Sequence, residues 1–153
     1  MDDRKVAIIC SKGGLDDVYP SLILANAARQ SGIDTFIFFT FYGLDAITEK
    51  KVDSLHVNMA GNPSSPMPTM VAGLPGMGSM GGTGRKRQTE GRNLPTVREM
   101  MEILDDSGAE LYACELAMEM FGRTSDDLIG QVQDVITAGD FYDISDGAHI
   151  IFT

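Results

Sequence analysis

Along the chain, short unbroken apolar runs alternate with segments whose apolar residues recur at helical spacing. Residues 5–10 (KVAIIC) and 34–41 (DTFIFFTF) have the length and the β-branched or aromatic content of buried strands. Between them, Leu22, Ile23, Ala25 and Ala28 predict the apolar face of a helix. Asp16 or Asp17 is its expected N-cap, Pro20 falls in its first turn, and Gly32 suits its end. Residues 43–51 read as a shorter helix and 55–59 as a short strand. Farther on, Val97, Met100, Met101 and Leu104 follow the i, i+3, i+4, i+7 pattern inside a helix predicted over 94–108. Residues 109–114 (AELYAC) form the third clear strand, followed by a two-turn helix, ELAMEMFG. Residues 124–127 cap another short helix, 137–147 form the last helix, and 148–153 a closing strand.

Such alternation predicts an α/β domain with a mostly parallel, doubly wound sheet and right-handed crossovers. The length suits a single domain over residues 1–153 with a substantial core. In these sheets ligands gather at the carboxyl ends of the strands. Cys10 and Cys114 each close a predicted strand, the strongest functional signal in the pattern. The common strand order 2-1-3-4 would set the third strand beside the first and bring both thiols to one rim. A disulfide would then need Cα atoms within ~7 Å.

The regular pattern breaks over residues 61–93, which are crowded with Gly and Pro. An insertion of this length is usually functional or disordered. Met59, Met67, Met70, Met77 and Met80 bring five of the ten methionines to this region. MPTM and MGSM resemble thioether pairs suited to Cu(I), but an adaptable docking surface is the favoured reading. Arg85, Lys86, Arg87 and Arg92 follow, so the partner is a protein, the acidic half of a neighbouring subunit, or an anionic membrane surface.

Composition narrows the classes. Hydrophobic residues at 43% and charged residues at 22% are those of a globular protein. The net charge of −10 argues against nucleic acid as a partner. That charge is uneven: residues 99–153 hold 13 acidic side chains and one basic one, Arg123. The N-terminus lacks a signal-peptide pattern, and no stretch approaches the roughly 20 apolar residues of a membrane span. With only two cysteines, a reducing cytoplasm and free thiols are expected. His56 and His149 lack metal-ligand spacing and read as structural, so no metal site is expected of them; H-E-x-x-H, C-x-x-C and nucleophile-elbow patterns are missing, which disfavours zinc hydrolysis, thioredoxin chemistry and α/β-hydrolase action.

Two readings of Cys114 stay open. It is a packed small hydrophobe, or a nucleophile whose thiolate gains from the amides and dipole of the helix that follows. Glu115 and Glu119 oppose the second by repelling another negative charge. Cys10 has the same pair of readings. SKGGLDD lacks the spacing of a phosphate loop. Ser11, Lys12, Gly13 and Gly14 suit a more modest task, holding a small anion at a helix N-terminus, with Lys12 supplying positive charge near the thiols.

Three stretches, SKGGLD, TFIFFTFYGL and YACELAMEMFG, together with the Met-rich insertion, resemble the DsrE/DsrF-like family. The likeness is to its branch with a long Met-rich insertion, labelled peroxiredoxin-like or DsrE-like, and it spans nearly the whole chain. It implies a three-layer α/β sandwich, a homo-oligomer, and sulfur trafficking through a cysteine persulfide. The family cysteine falls on Cys114. As a sulfurtransferase or sulfur carrier of that kind, the protein would take sulfane sulfur from a donor and pass it to a thiol acceptor protein, without an organic cofactor. A small-anion or nucleotide-binding module, and a soft-metal or docking protein working through the Met-rich insertion, are the alternatives.

Overall fold

The computed structural model describes residues 3–58 and 94–153, together with Pro75. Strand β1 (Lys5–Cys10) leads into helix α1 (Leu15–Gln30), then β2 (Asp34–Phe39) and a 3-10 helix (Phe41–Ile47). Helix α2 (Val97–Asp106), β3 (Glu110–Cys114), α3 (Glu115–Met120) and a 3-10 turn (Ser125–Asp127) follow. β4 (Val132–Ile136), α4 (Ala138–Ile144) and β5 (His149–Phe152) complete the order. Among the described residues all strand pairs are parallel, in one five-stranded sheet of order β4-β3-β2-β1-β5.

This order corrects the expected 2-1-3-4. The chain steps from β1 to β2, β3 and β4 in one direction, and only the last connection crosses back to the free edge of β1. An apolar run records that a strand is buried but not which strand lies beside it. β2 therefore separates the strands that end in Cys10 and Cys114.

Pairing register assigns side chains to the two sheet faces. Ile8 pairs with Ile37 and Cys10 with Phe39, while Ile37 pairs with Leu111 and Phe39 with Ala113. These six share one face and are fully buried. Helix α1 covers that face with Val18, Leu22 and Ala25. Successive strand residues alternate faces, so Phe36, Phe38, Tyr112 and Cys114 point to the other side. There Phe141 of α4 packs on Phe36 and Phe38, with ring centroids 5.9 and 5.1 Å away. Helices on both faces of a parallel sheet agree with the α/β class that the alternation predicts and with the three-layer sandwich that the resemblance implies.

Local departures from the sequence reading have local causes. Helix α1 starts at Leu15 with Gly14 as N-cap, leaving Asp16 and Asp17 in the first turn, where carboxylates complement the dipole. Ile23, expected on the buried face, is half exposed because Leu22 holds the core position. The helix expected over 43–51 is a 3-10 helix that begins at Phe41 and stops at Ile47. Residues 55–58 form no strand. β4 went unpredicted because VQDVI sits at the sheet edge and alternates with polar residues, so no apolar run marks it. Helix α2 keeps to its pattern: Thr96 accepts from the Glu99 amide, and Glu99 returns the contact, a capping box.

Candidate functional site

Cys114 is the last residue of β3 and the N-cap of α3, with extended backbone angles (φ −76°, ψ 120°). It pairs with Ile136 at the inner side of β4. Its side chain makes no capping bond, and 7% of the residue reaches the surface. Cys10 has no exposed surface at all. Its thiol donates to the Lys12 carbonyl over 3.6 Å. Burial pushes the Cys10 thiol up, against smaller downward pulls from the Ser21 hydroxyl, the Lys12 backbone and the Thr153 hydroxyl. Both thiols are free. They lie two strands apart, about 10 Å across the sheet, and on opposite faces, because Cys10 is level with Ala113 and Cys114 is the residue after it. Both thiols keep to the carboxyl rim, but the expected neighbourhood does not form, and the separation exceeds disulfide reach.

The SKGG and TFYGL stretches turn out to be two halves of one packing joint. The Thr40 amide donates to the Cys10 carbonyl over 3.0 Å. A Cβ on Gly43 would collide with that same carbonyl. On the other side, a Cβ on Gly13 would lie 2.6 Å from the Tyr42 carbonyl oxygen. Both glycines thus allow backbone to rest on backbone. Phe41, between them, takes a left-handed conformation (φ 47°) as the chain turns off β2.

Ser11 and Lys12 have partners of their own. The Ser11 hydroxyl donates to the Thr153 carbonyl over 2.8 Å, tying the β1 loop to the end of β5. Lys12 extends into solvent with its ammonium 3.9 Å from Asp17. An open cleft of about 510 Å³ runs past Lys12, Gly13 and Gly14 to Tyr42, Asp45, Lys51 and His56. Of the expected cluster, Lys12, Gly13 and Gly14 line this cleft, whereas the Ser11 side chain is bonded to the end of β5. The cleft's cations are opposed by carboxylates, since Lys51 also lies 3.6 Å from Asp45.

Arg123 is the residue whose part the sequence did not disclose. It donates to Asp45 over 2.7 Å and to the Thr48 hydroxyl over 3.0 Å, with its guanidinium 5.3 Å from the Phe121 ring centroid. Tyr42 packs on the other part of that aromatic pair, 5.3 Å from Phe121. Arg123 thereby fastens the end of α3 to the 3-10 helix, and through it the element that begins at Cys114. The signal was present: Arg123 is the one basic residue between positions 99 and 153.

The methionines at 59, 67, 70, 77 and 80 and the basic residues at 85–87 and 92 lie outside the described residues. So do the soft-metal, docking and membrane-surface readings attached to them. No described helix is long and apolar enough to cross a membrane.

Residues 2–152 match the DsrE/DsrF/DrsH-like family. The chain is 33% identical over 141 residues to the sulfur carrier protein DsrE2 of Allochromatium vinosum, covering 87% of each. It is 21% identical over 154 residues to the uncharacterised YrkE of Bacillus subtilis, covering 97% of this chain and 96% of that one. Among solved structures, ychN of E. coli superposes with a TM-score of 0.60 at 17% identity, over 98% of this chain and 99% of its own. MTH1491 of Methanobacterium thermoautotrophicum does so at 0.53 and 15%, over 99% and 100%. The whole-length match and the identity to DsrE2 agree: the chain belongs to the DsrE/DsrF/DrsH-like family.

Proposed function

We propose that the protein is a sulfur carrier that holds sulfane sulfur as a persulfide on Cys114 and passes it to a partner thiol. The observation that carries this reading is the contrast between the thiols. Both close strands at the carboxyl edge of the sheet, but Cys10 is sealed beneath α1 whereas Cys114 retains surface. Its relative DsrE2 is named a sulfur carrier, which supports the same reading.

Loading proceeds by attack of the Cys114 thiolate on the outer sulfur of a polysulfide. A new S–S bond forms, the donor's S–S bond breaks, and the shortened polysulfide leaves as an anion. Delivery mirrors loading. The acceptor thiolate attacks the outer sulfur, the bond to Cys114 breaks, and Cys114 departs as thiolate while the acceptor becomes the persulfide. Neither half is a net oxidation, so the two exchanges need no redox cofactor. Free thiols of this kind belong in a reducing compartment, the cytoplasm.

After exposure to polysulfide, the intact protein should gain a mass of about 32 Da per added sulfur, located on Cys114. Cys10→Ser should load as the parent does, and Cys114→Ser should not. A Cys114→Ser protein that loads normally overturns the reading. A second reading, a small-anion module, draws on the 510 Å³ cleft. Its lysines already face Asp17 and Asp45, which weakens it. Thermal stabilisation by phosphate, unchanged in Cys114→Ser, would favour it.

A further inference from the structure

The outward side of α3 has a composition that the chain's own packing does not use. Ala117 and Met118 turn inward and are buried. Leu116 and Met120, one turn apart, are 62% and 57% exposed. Glu115 and Glu119, also one turn apart, form an acidic row alongside them. Beside this row an open cleft of about 410 Å³ runs between α3 and β4, with Ser125 and Val135 among its walls. Arg123 borders the cleft, but its guanidinium is engaged by Asp45 and Thr48, so among the described residues lining the cleft no free cation answers the two glutamates. The surrounding half of the sequence offers no relief, with 13 acidic residues to one basic residue over 99–153.

We infer that this face is the docking surface for the acceptor, and that it selects a protein whose thiol sits in an apolar patch edged by lysine or arginine. The inference rests on Cys114 being the sulfur-bearing residue. Leu116 and Met120 provide the apolar contact immediately after Cys114, and Glu115 and Glu119 choose the sign of the partner. Facing rows of opposite charge accelerate encounter and exclude like-charged proteins. A cation beside the acceptor's thiol also favours its thiolate, the form that attacks the persulfide. One feature of the partner therefore serves both recognition and reaction.

The test uses the full chain, loaded with polysulfide, and two short cysteine peptides that differ only in carrying lysines or glutamates beside the thiol. Transfer to the lysine peptide should be faster by about 10-fold at low salt, with the advantage shrinking as salt is raised. Glu115→Lys/Glu119→Lys should reverse the preference, with each transfer rate taken per loaded Cys114 so that a changed loading step does not enter. Leu116→Ser/Met120→Ser, which keeps the charges, should slow transfer to both peptides. Failure of Cys114 to load overturns the carrier reading and this one with it. Normal loading without discrimination between the peptides overturns the docking surface alone. So does a Leu116→Asp variant that dissociates an oligomer and leaves peptide preference unchanged, since the face would then belong to a second copy of the chain.

Discussion

At the scale of single residues, the two cysteines look alike in the sequence and differ in the fold by what surrounds them. Cys10 closes a strand under a helix, with hydroxyls from Ser21 and Thr153 against its thiol. Its ionisation is pushed up by burial, and those of Tyr19 and Tyr112 are also raised, again with burial as the first cause. A group whose pKa is raised on folding stays protonated in the native chain after it has ionised in the unfolded one. Its contribution is complete below the unfolded pKa and is lost as pH climbs towards the folded one. The melting temperature should therefore fall from about pH 9 upward. Cys10→Ala should cost about 1 kcal/mol at neutral pH through the lost packing, and should make the onset of that alkaline fall shallower. Thermal melts at stepped pH measure both, and an onset unchanged by Cys10→Ala would refute the assignment.

At the scale of elements, the site depends on how α3 and the 3-10 helix are held together. Arg123 and Asp45 are mostly buried, with 14% and 20% of their side chains exposed. Arg123→Ala should cost about 2 kcal/mol, because Asp45 and Thr48 lose a charged donor in a partly desolvated place. Arg98 also makes charged bonds, to Glu49 and Asp53, but those carboxylates are 54% and 63% exposed. Arg98→Ala should cost less than about 1 kcal/mol. Denaturant melts of the two variants give the comparison, and equal losses would contradict it. Backbone contact is stricter still. Gly43→Ala drives a methyl into the Cys10 carbonyl and should abolish soluble folded protein, whereas Gly130→Ala meets nothing within 4 Å and should be tolerated.

At the scale of the whole molecule, the two sheet faces are covered unequally. The α1 face is buried across three strands, while the α4 side leaves much of β5 open. Ile150 and Phe152, which pair with Ala7 and Ile9 on that side, are 51% and 69% exposed. β5 is also an edge strand, with one side of its backbone unpaired by the sheet. This edge is where the homo-oligomer that the family resemblance implies is expected to form its contact. Phe152→Asp should shift the mass in light scattering towards that of one chain without lowering the sulfur-loading capacity of Cys114. An unchanged mass would place the subunit contact elsewhere.

By itself the sequence determined the fold class, because apolar runs of strand length alternating with helical spacing leave few ways to bury both. It also placed Cys114 at a strand end before a helix, since the pattern changes period at that residue. Hydrophobic periodicity is a local quantity, however, and strand order is not. Only the tertiary structure put β2 between the cysteine-bearing strands, turned their thiols to opposite faces, and revealed β4, whose edge position demands no apolar run. Only there did SKGG and TFYGL meet as a joint between backbones, and only there did Arg123 find Asp45, 78 positions away. Contacts between distant segments depend on how the sheet is ordered, which the spacing of residues within a segment does not encode.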